Sequence, residues 1–236
     1  MIEPKDCWLK DICKKHKENN CTENFCMKLF KLNSLYDEAL IPMQQRAHKN
    51  LFIDADGTDS TIFRELKNIE NNIIDFVDNG KNLFIYSYGV GCGKTSWAIR
   101  LIQSYFNNIW YKTELKCKAL FINVPRFLLA LKQNISCKSD YAEHIMQNVL
   151  DADLVIWDEI ATKTATEFEH ENLLTIIDSR LASNKSNIYT SNLGPEEIKE
   201  RLGDRIYSRI INTSTVYQFK GKDKRGLNND STSSSQ

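Results

Sequence analysis

Gly89, Gly91 and Gly93, followed at once by Lys94, Thr95 and Ser96, combine residue types that could act on a polyphosphate. Glycines in a tight turn let backbone N–H groups converge on an anion, because no Cβ blocks the conformations such a turn needs. An amine at Lys94 would reach the β- and γ-phosphates. The hydroxyl of Thr95, opening a helix, would ligate Mg²⁺ while the helix N-terminus faces the phosphate charge. Cys92 and Ser96 complete the expected contact set.

A second group is acidic. Asp158 and Glu159 follow the apolar run Leu154 to Trp157. Asp158 at a strand end would hold Mg²⁺ through water, and Glu159 would orient and activate a water for attack on the γ-phosphate. Four apolar residues before two acids mean little by themselves; downstream of a glycine-rich loop they form the second half of an ATP site. One departure stands out. The pattern G-x-x-x-x-G-K-[ST] places its first glycine at position 88, where the chain has Tyr88 and Gly89 is displaced by one. A tyrosine there demands an ordinary negative φ, so a re-shaped loop is expected rather than a dead one. A turn that binds nothing is the alternative, and the strand-loop-helix context argues against it.

Holding these groups together calls for a parallel sheet. Leu83 to Tyr86 reads as the strand before the loop, and Ser96 to about Asn107 as the helix after it. Further strands are expected at Ala119 to Val124, Leu154 to Trp157, Asn187 to Thr190 and Thr215 to Phe219. Helical stretches fall between them, at 125–132, 141–150, 167–184 and 195–209. This alternation predicts α/β architecture, a P-loop ATPase core whose sheet carries helices on both faces. Ile62, Leu66, Ile69, Ile73 and Phe76 form one helical stripe ending at the Asn79-Gly80 cap pair. The polar stretch before it places a linker at 51–60, with residues 1–50 as a separate N-terminal module, 61–227 as the ATPase domain and 228–236 as a disordered tail.

Residues 1–50 carry Cys7, Cys13, Cys21 and Cys26, with His16 as an alternate ligand. Four thiolates suit tetrahedral Zn²⁺, whose binding can fold a segment too small for a core of its own. The spacing C-x5-C-x7-C-x4-C lacks paired knuckles, so reduced cysteines in a helical segment, or an iron–sulfur cluster, stay open. Leu29, Leu32, Leu35, Tyr36 and Leu40 then recur at helical spacing. That face is expected to pack on the module's own body or, alternatively, to dock a partner.

Asn192, just past a strand end, could contact the γ-phosphate and attacking water or simply cap the next helix. Arg205 and Arg209 lie four apart on a helix, as a surface pair near acids such as Glu200 or as an arginine finger reaching a neighbour's ATP site. Lys220, Lys222, Lys224 and Arg225 make a local basic patch, either phosphate-binding or a solvated tail.

With 31 basic and 31 acidic residues the formal net charge is zero, so whole-molecule electrostatics does not attract nucleic acid and any such contact must be local. No apolar run reaches the roughly 20 residues that span a bilayer, and the start MIEPKDCWLK has no apolar signal core, so no membrane contact and a cytosolic location are expected. The seven cysteines read accordingly as thiols or metal ligands rather than disulfides.

GVGCGKTSWA, LVIWDEI, IYTSNL and GDRIYSRI together resemble the DnaC-type helicase loaders, particularly phage versions, over roughly residues 60–227. These are AAA+ ATPases, similar also to the initiator DnaA and to IstB transposition helpers. The resemblance implies that Asn192 is the sensor 1 residue and Arg209 the finger acting in trans, with Arg205 supporting it. It also implies an N-terminal module that grips a hexameric replicative helicase, assembly through the ATPase domain, contact with single-stranded DNA, and slow hydrolysis that assembly accelerates. Too little chain follows Arg209 for a full lid with a sensor 2 arginine. An IstB-type helper, a nucleotide-binding inhibitor of a host loader or helicase, and a small-molecule P-loop kinase are the alternatives.

Overall fold

Each expected strand forms, within one residue of its predicted ends: β1 (Asn82–Tyr86), β2 (Ala119–Asn123), β3 (Leu154–Asp158), β4 (Ser186–Ser191) and β5 (Ser214–Gln218). A computed structural model of the chain describes residues 7–21, 25–47, 50–54, 57–114, 116–134, 138–162 and 164–224. Arg225 and the NNDSTSSSQ tail fall outside that set.

The strands form one five-stranded sheet in the order β2-β3-β4-β1-β5, every pair parallel. Alternate residues of a strand face opposite sides: Leu83 and Ile85 enter one hydrophobic cluster and Phe84 the other, as Leu154 and Ile156 separate from Val155 and Trp157. A parallel sheet covered on both faces has no wet side, which is why β1, β2 and β3 read as largely apolar runs, whereas the edge strand β5 is half exposed. The order also inserts β4 between β1 and β3, so the loop after β1 and the acids after β3 face each other across one strand end.

Helices α3 (Ser60–Asn71), α4 (Ile73–Asp78) and α5 (Lys94–Ile109) precede and follow β1 on one face; α6 (Val124–Gln133), α7 (Asp140–Asn148), α8 (Glu167–Ala182) and α9 (Pro195–Ile211) belong to the other. The single stripe expected from Ile62 to Phe76 is two helices, because Asn72 at φ −114°, ψ 32° breaks the ladder. Gly80 ends α4 at φ 59°, and a Cβ there would lie 2.4 Å from the Asn184 side chain, so the cap requires glycine. Thr166 and Glu169 form a reciprocal capping box at the start of α8. In α9 the backbone of Gly203 leaves helical geometry at φ 75°, ψ 168°, so Arg205 and Arg209 share the segment after a kink.

Residues 9–41 do not form a core of their own. After the one-turn α1 (Lys14–Lys17), α2 (Met27–Glu38) buries Leu32, Leu35 and Tyr36. These join Leu9, Ala39 and Ile41 in one cluster with Leu83, Trp97 and Phe106. Tyr36 meets Phe106 edge to face at 5.2 Å, and Phe121 of β2 donates its N–H to Ala39 O at 2.8 Å. The amphipathic face packs on its own segment, where Trp8 meets Tyr36 edge to face at 5.3 Å, and also covers α5 and β2. Leu40 stops at φ 60°, past the helix end.

At the amino ends of β3 and β4 a fully buried guanidinium organises the chain. Arg180 donates to Val149 O (2.5 Å), Ala152 O (2.8 Å), Ser186 O (2.6 Å) and Asn187 Oδ1 (2.7 Å). Burial depresses its pKa to about 10, still charged at neutral pH.

Candidate nucleotide site

The carboxyl end of the sheet is built from the phosphate loop upward. Gly91 and Gly93 take φ values of 72° and 98°, the left-handed region closed to most side chains, and Gly93 is the N-cap of α5. Lys94 is the first residue of that helix and nearly buried, and its ammonium donates to Gly89 O at 3.1 Å. Ser87 receives the Gly89 N–H at 3.1 Å and donates to Cys92 Sγ at 3.3 Å, bracing the loop from below. Tyr88 is not among the left-handed residues, as expected. It swings out of the loop instead, its ring 5.9 Å from Tyr86 and its hydroxyl so close to Gly194 that a Cβ there would sit 2.5 Å away.

Asp158 lies beneath this loop, 5% exposed. Thr95 donates to its Oδ1 at 2.8 Å and Thr190 donates to the same oxygen at 2.7 Å. Burial raises the Asp158 pKa, the two hydroxyl hydrogen bonds oppose it, and the neighbouring Glu159 charge adds to the rise. Glu159 is exposed and its backbone sits at φ 59°, a conformation that costs a non-glycine roughly 1 kcal/mol or more and that clusters at functional sites. Three contacts hold it there: Glu159 N–H donates to Thr190 Oγ1 (3.1 Å), Thr162 Oγ1 to Glu159 O (2.6 Å), and Asn123 Nδ2 to Glu159 Oε2 (3.2 Å).

Sequence reading missed Thr190 and Asn123. Both are found only through register: Asn123 pairs with Asp158, and Thr190 follows Tyr189, the partner of Trp157. Asn123 also caps α6 by accepting the Arg126 N–H at 3.2 Å, which turns its amide nitrogen toward Glu159.

Lys94, Thr95, Ser96, Glu159 and Asn192 line one cavity of about 790 Å³, within the range of small-molecule sites. Leu51, Phe52, Phe63 and Phe219, none of them expected from the motifs, add apolar lining beside Asp54, Asp59 and Lys224. Asn192 is held by its neighbour: Ser191 Oγ donates to Ile160 O (2.9 Å) and accepts Leu193 N–H (3.1 Å). Asn192 does not cap α9, whose N-cap is Gly194 without a side-chain cap. A glycine cradle at a helix N-terminus and apolar lining fit a nucleotide, and the hydroxyl and carboxylate oxygens of Thr95 and Asp158 fit Mg²⁺.

Arg209 and Arg205 stand apart from the cavity. Arg209 Nε donates to Asp178 Oδ1 at 2.6 Å on α8, rather than to Glu200, and Arg205 is exposed. Among the described residues no group of three or more His, Cys, Asp or Glu side chains is arranged to hold a metal ion. The expected zinc set of Cys7, Cys13, Cys21 and Cys26, with His16, is not seen in a ligating arrangement, although Cys13, Cys21 and Cys26 stand near enough to Cys7 for their charges to act on it. Cys7 and Cys13 pack against the hydrophobic cluster shared with α5, and burial first, then the charges of Cys26, Cys13 and Cys21, raise the Cys7 pKa. No helix among the described residues is long and apolar enough to cross a membrane.

A family model described as IstB-like ATP binding protein matches residues 24–232. The replicative helicase loader DnaC of Escherichia coli (strain K12) is 23% identical over 193 residues, 80% of this chain and 71% of that protein. Two solved structures share the fold. The DnaI crystal structure superposes with a TM-score of 0.60 at 16% identity, covering 80% of this chain and all of that one. The DnaC helicase loader structure gives 0.58 at 17% identity, covering 72% of this chain and 94% of that one.

Proposed function

We propose, from the premise that this chain belongs to the IstB-like ATP binding protein family, that it binds ATP with Mg²⁺ in the cavity and hydrolyses it slowly to switch its grip on a hexameric replicative helicase. The single observation that carries the catalytic half is the pair of hydroxyls on Asp158 Oδ1 beneath a lysine-tipped glycine loop. In this reading Lys94 and the loop amides hold the phosphates, Thr95 and Asp158 hold Mg²⁺, and Glu159, kept in place by Asn123 and Thr190, aligns the attacking water. Asn192 reads the γ-phosphate.

The loader half is supported by the likeness to proteins named replicative helicase loaders. Arg209 does not line its own cavity, and in this reading it serves a neighbouring copy's, with Arg205 beside it, so hydrolysis rises on homo-oligomerisation and single-stranded DNA favours that assembly. Residues 1–50 supply the helicase contact. The test is to mix the purified chain with candidate hexameric helicases, with and without ATP. A complex that depends on nucleotide and is lost in Lys94→Ala is the expected result; no complex with any hexameric helicase contradicts it. A transposition helper of the IstB type, the alternative the resemblance implies, would share every ATPase residue. Co-purification with a transposase instead of a helicase would select that reading.

A further inference from the structure

After β5 the chain turns back over the open side of the phosphate loop. Phe219 N–H still donates to Tyr86 O at 2.8 Å, and then residues 220–224 leave the sheet. Two acids from the segment before α3 seize their amides: Asp59 accepts from Lys220 (3.0 Å) and Gly221 (2.8 Å), and Asp54 accepts from Lys222 (3.1 Å). The other edge is tied to the loop itself, where Cys92 Sγ–H donates to Gly221 O at 3.1 Å and Lys224 N–H to Gly91 O at 3.1 Å. The Lys224 ammonium donates to Phe52 O at 2.7 Å and stands 3.8 Å from Asp54.

This strap lays a carboxylate on the anion cradle. A Cβ built on Gly91 would lie 1.6 Å from Asp223 Oδ1 and 2.9 Å from Oδ2, so the acid rests directly against one of the two left-handed glycines of the loop. A triphosphate in the same cradle would bring like charges together at the exposed mouth of the loop, where repulsion is partly screened. The strap's ties are hydrogen bonds to the half-buried acids Asp54 and Asp59, to one thiol and to the carbonyls of Gly91 and Phe52, and none of residues 220–224 is buried in the core.

Resting on the nucleotide reading of the cavity, we propose that residues 220–224 form a carboxylate-tipped gate. Asp223 occupies the cradle before nucleotide arrives, and entry of the Mg²⁺–triphosphate displaces the strap, releasing the 220–222 amides from Asp54 and Asp59. Ligand binding ordinarily slows amide exchange near a site; here it speeds it.

Hydrogen exchange on the unaltered full chain, with and without Mg²⁺–ATP, tests this without a variant. Faster exchange at 220–222 on adding nucleotide is expected; unchanged or slower exchange overturns the gate. In parallel, Asp223→Asn should bind Mg²⁺–ATP roughly fivefold more tightly than the parent, the effect of removing one partly screened like charge. Equal or weaker binding overturns it. If neither protein binds Mg²⁺–ATP, the nucleotide reading falls and the gate with it; if the parent binds while exchange stays flat, the gate alone falls.

Discussion

Each end of the sheet buries a charged group, and the two ends treat theirs differently. At the amino ends of β3 and β4, Arg180 gives its donors to three backbone carbonyls and the Asn187 amide oxygen. At the carboxyl ends, Asp158 receives hydroxyl donors from Thr95 and Thr190 on a single oxygen, next to the exposed acid Glu159. The first arrangement spends its donors on fixed backbone acceptors and has nothing to exchange. The second leaves a carboxylate whose charge the fold disfavours, beside a cavity that can admit a cation. A buried charge wrapped in backbone partners holds a fold together, whereas one held at some cost to the fold is positioned for a ligand.

That contrast can be broken at either end. Arg180→Met should cost about 3–5 kcal/mol, since several buried carbonyls lose their donors together, and urea unfolding would read it. A loss under about 1 kcal/mol would make the guanidinium incidental. At the other end Glu159→Gln should lower any ATP hydrolysis by about 10²- to 10⁴-fold while leaving the melting temperature and ATP affinity near those of the parent. A hydrolysis rate unchanged by the substitution would remove Glu159 from the water-activating role.

The smallest effect sharpens the comparison most. Because burial raises the Asp158 pKa, the native state takes up a proton more readily than the unfolded chain, and this group's contribution to stability grows as pH falls from neutral through its raised pKa. Asp158→Asn should therefore melt slightly above the parent at neutral pH, flatten that pH dependence, and bind ATP less tightly in the presence of Mg²⁺. A lower melting point would mean that the carboxylate supports the fold as Arg180 does.

Most of this architecture is legible in the sequence because it is local or periodic. The first three strands are apolar runs closed by turn residues, and Gly91-Cys92-Gly93-Lys94-Thr95 states its own geometry within five residues. What escaped reading depends on register or on contacts far apart in the chain. Thr190 and Asn123 become neighbours of the acids only when three strands align in one row. The clasp between Asp54, Asp59 and residues 220–222 spans most of the chain, and backbone amides leave no compositional trace. The α3–α4 break at Asn72 was hidden because the apolar stripe continues through it, and the kink at Gly203 lay inside the stretch 195–209 expected as one helix. In the amino-terminal segment, cysteines drew attention as ligands, while Leu9, Leu32, Leu35 and Tyr36 decided where the segment packs.

The central claim is that Lys94, Thr95 and Asp158 together hold a magnesium-complexed triphosphate. Calorimetric titration of ATP into the full chain, with Mg²⁺ and then with the ion chelated, tests it most directly. Saturable binding that is tighter with Mg²⁺ by about tenfold or more, and abolished in Lys94→Ala, is the predicted result. No heat of binding from the parent, or identical isotherms for parent and Lys94→Ala, would contradict it.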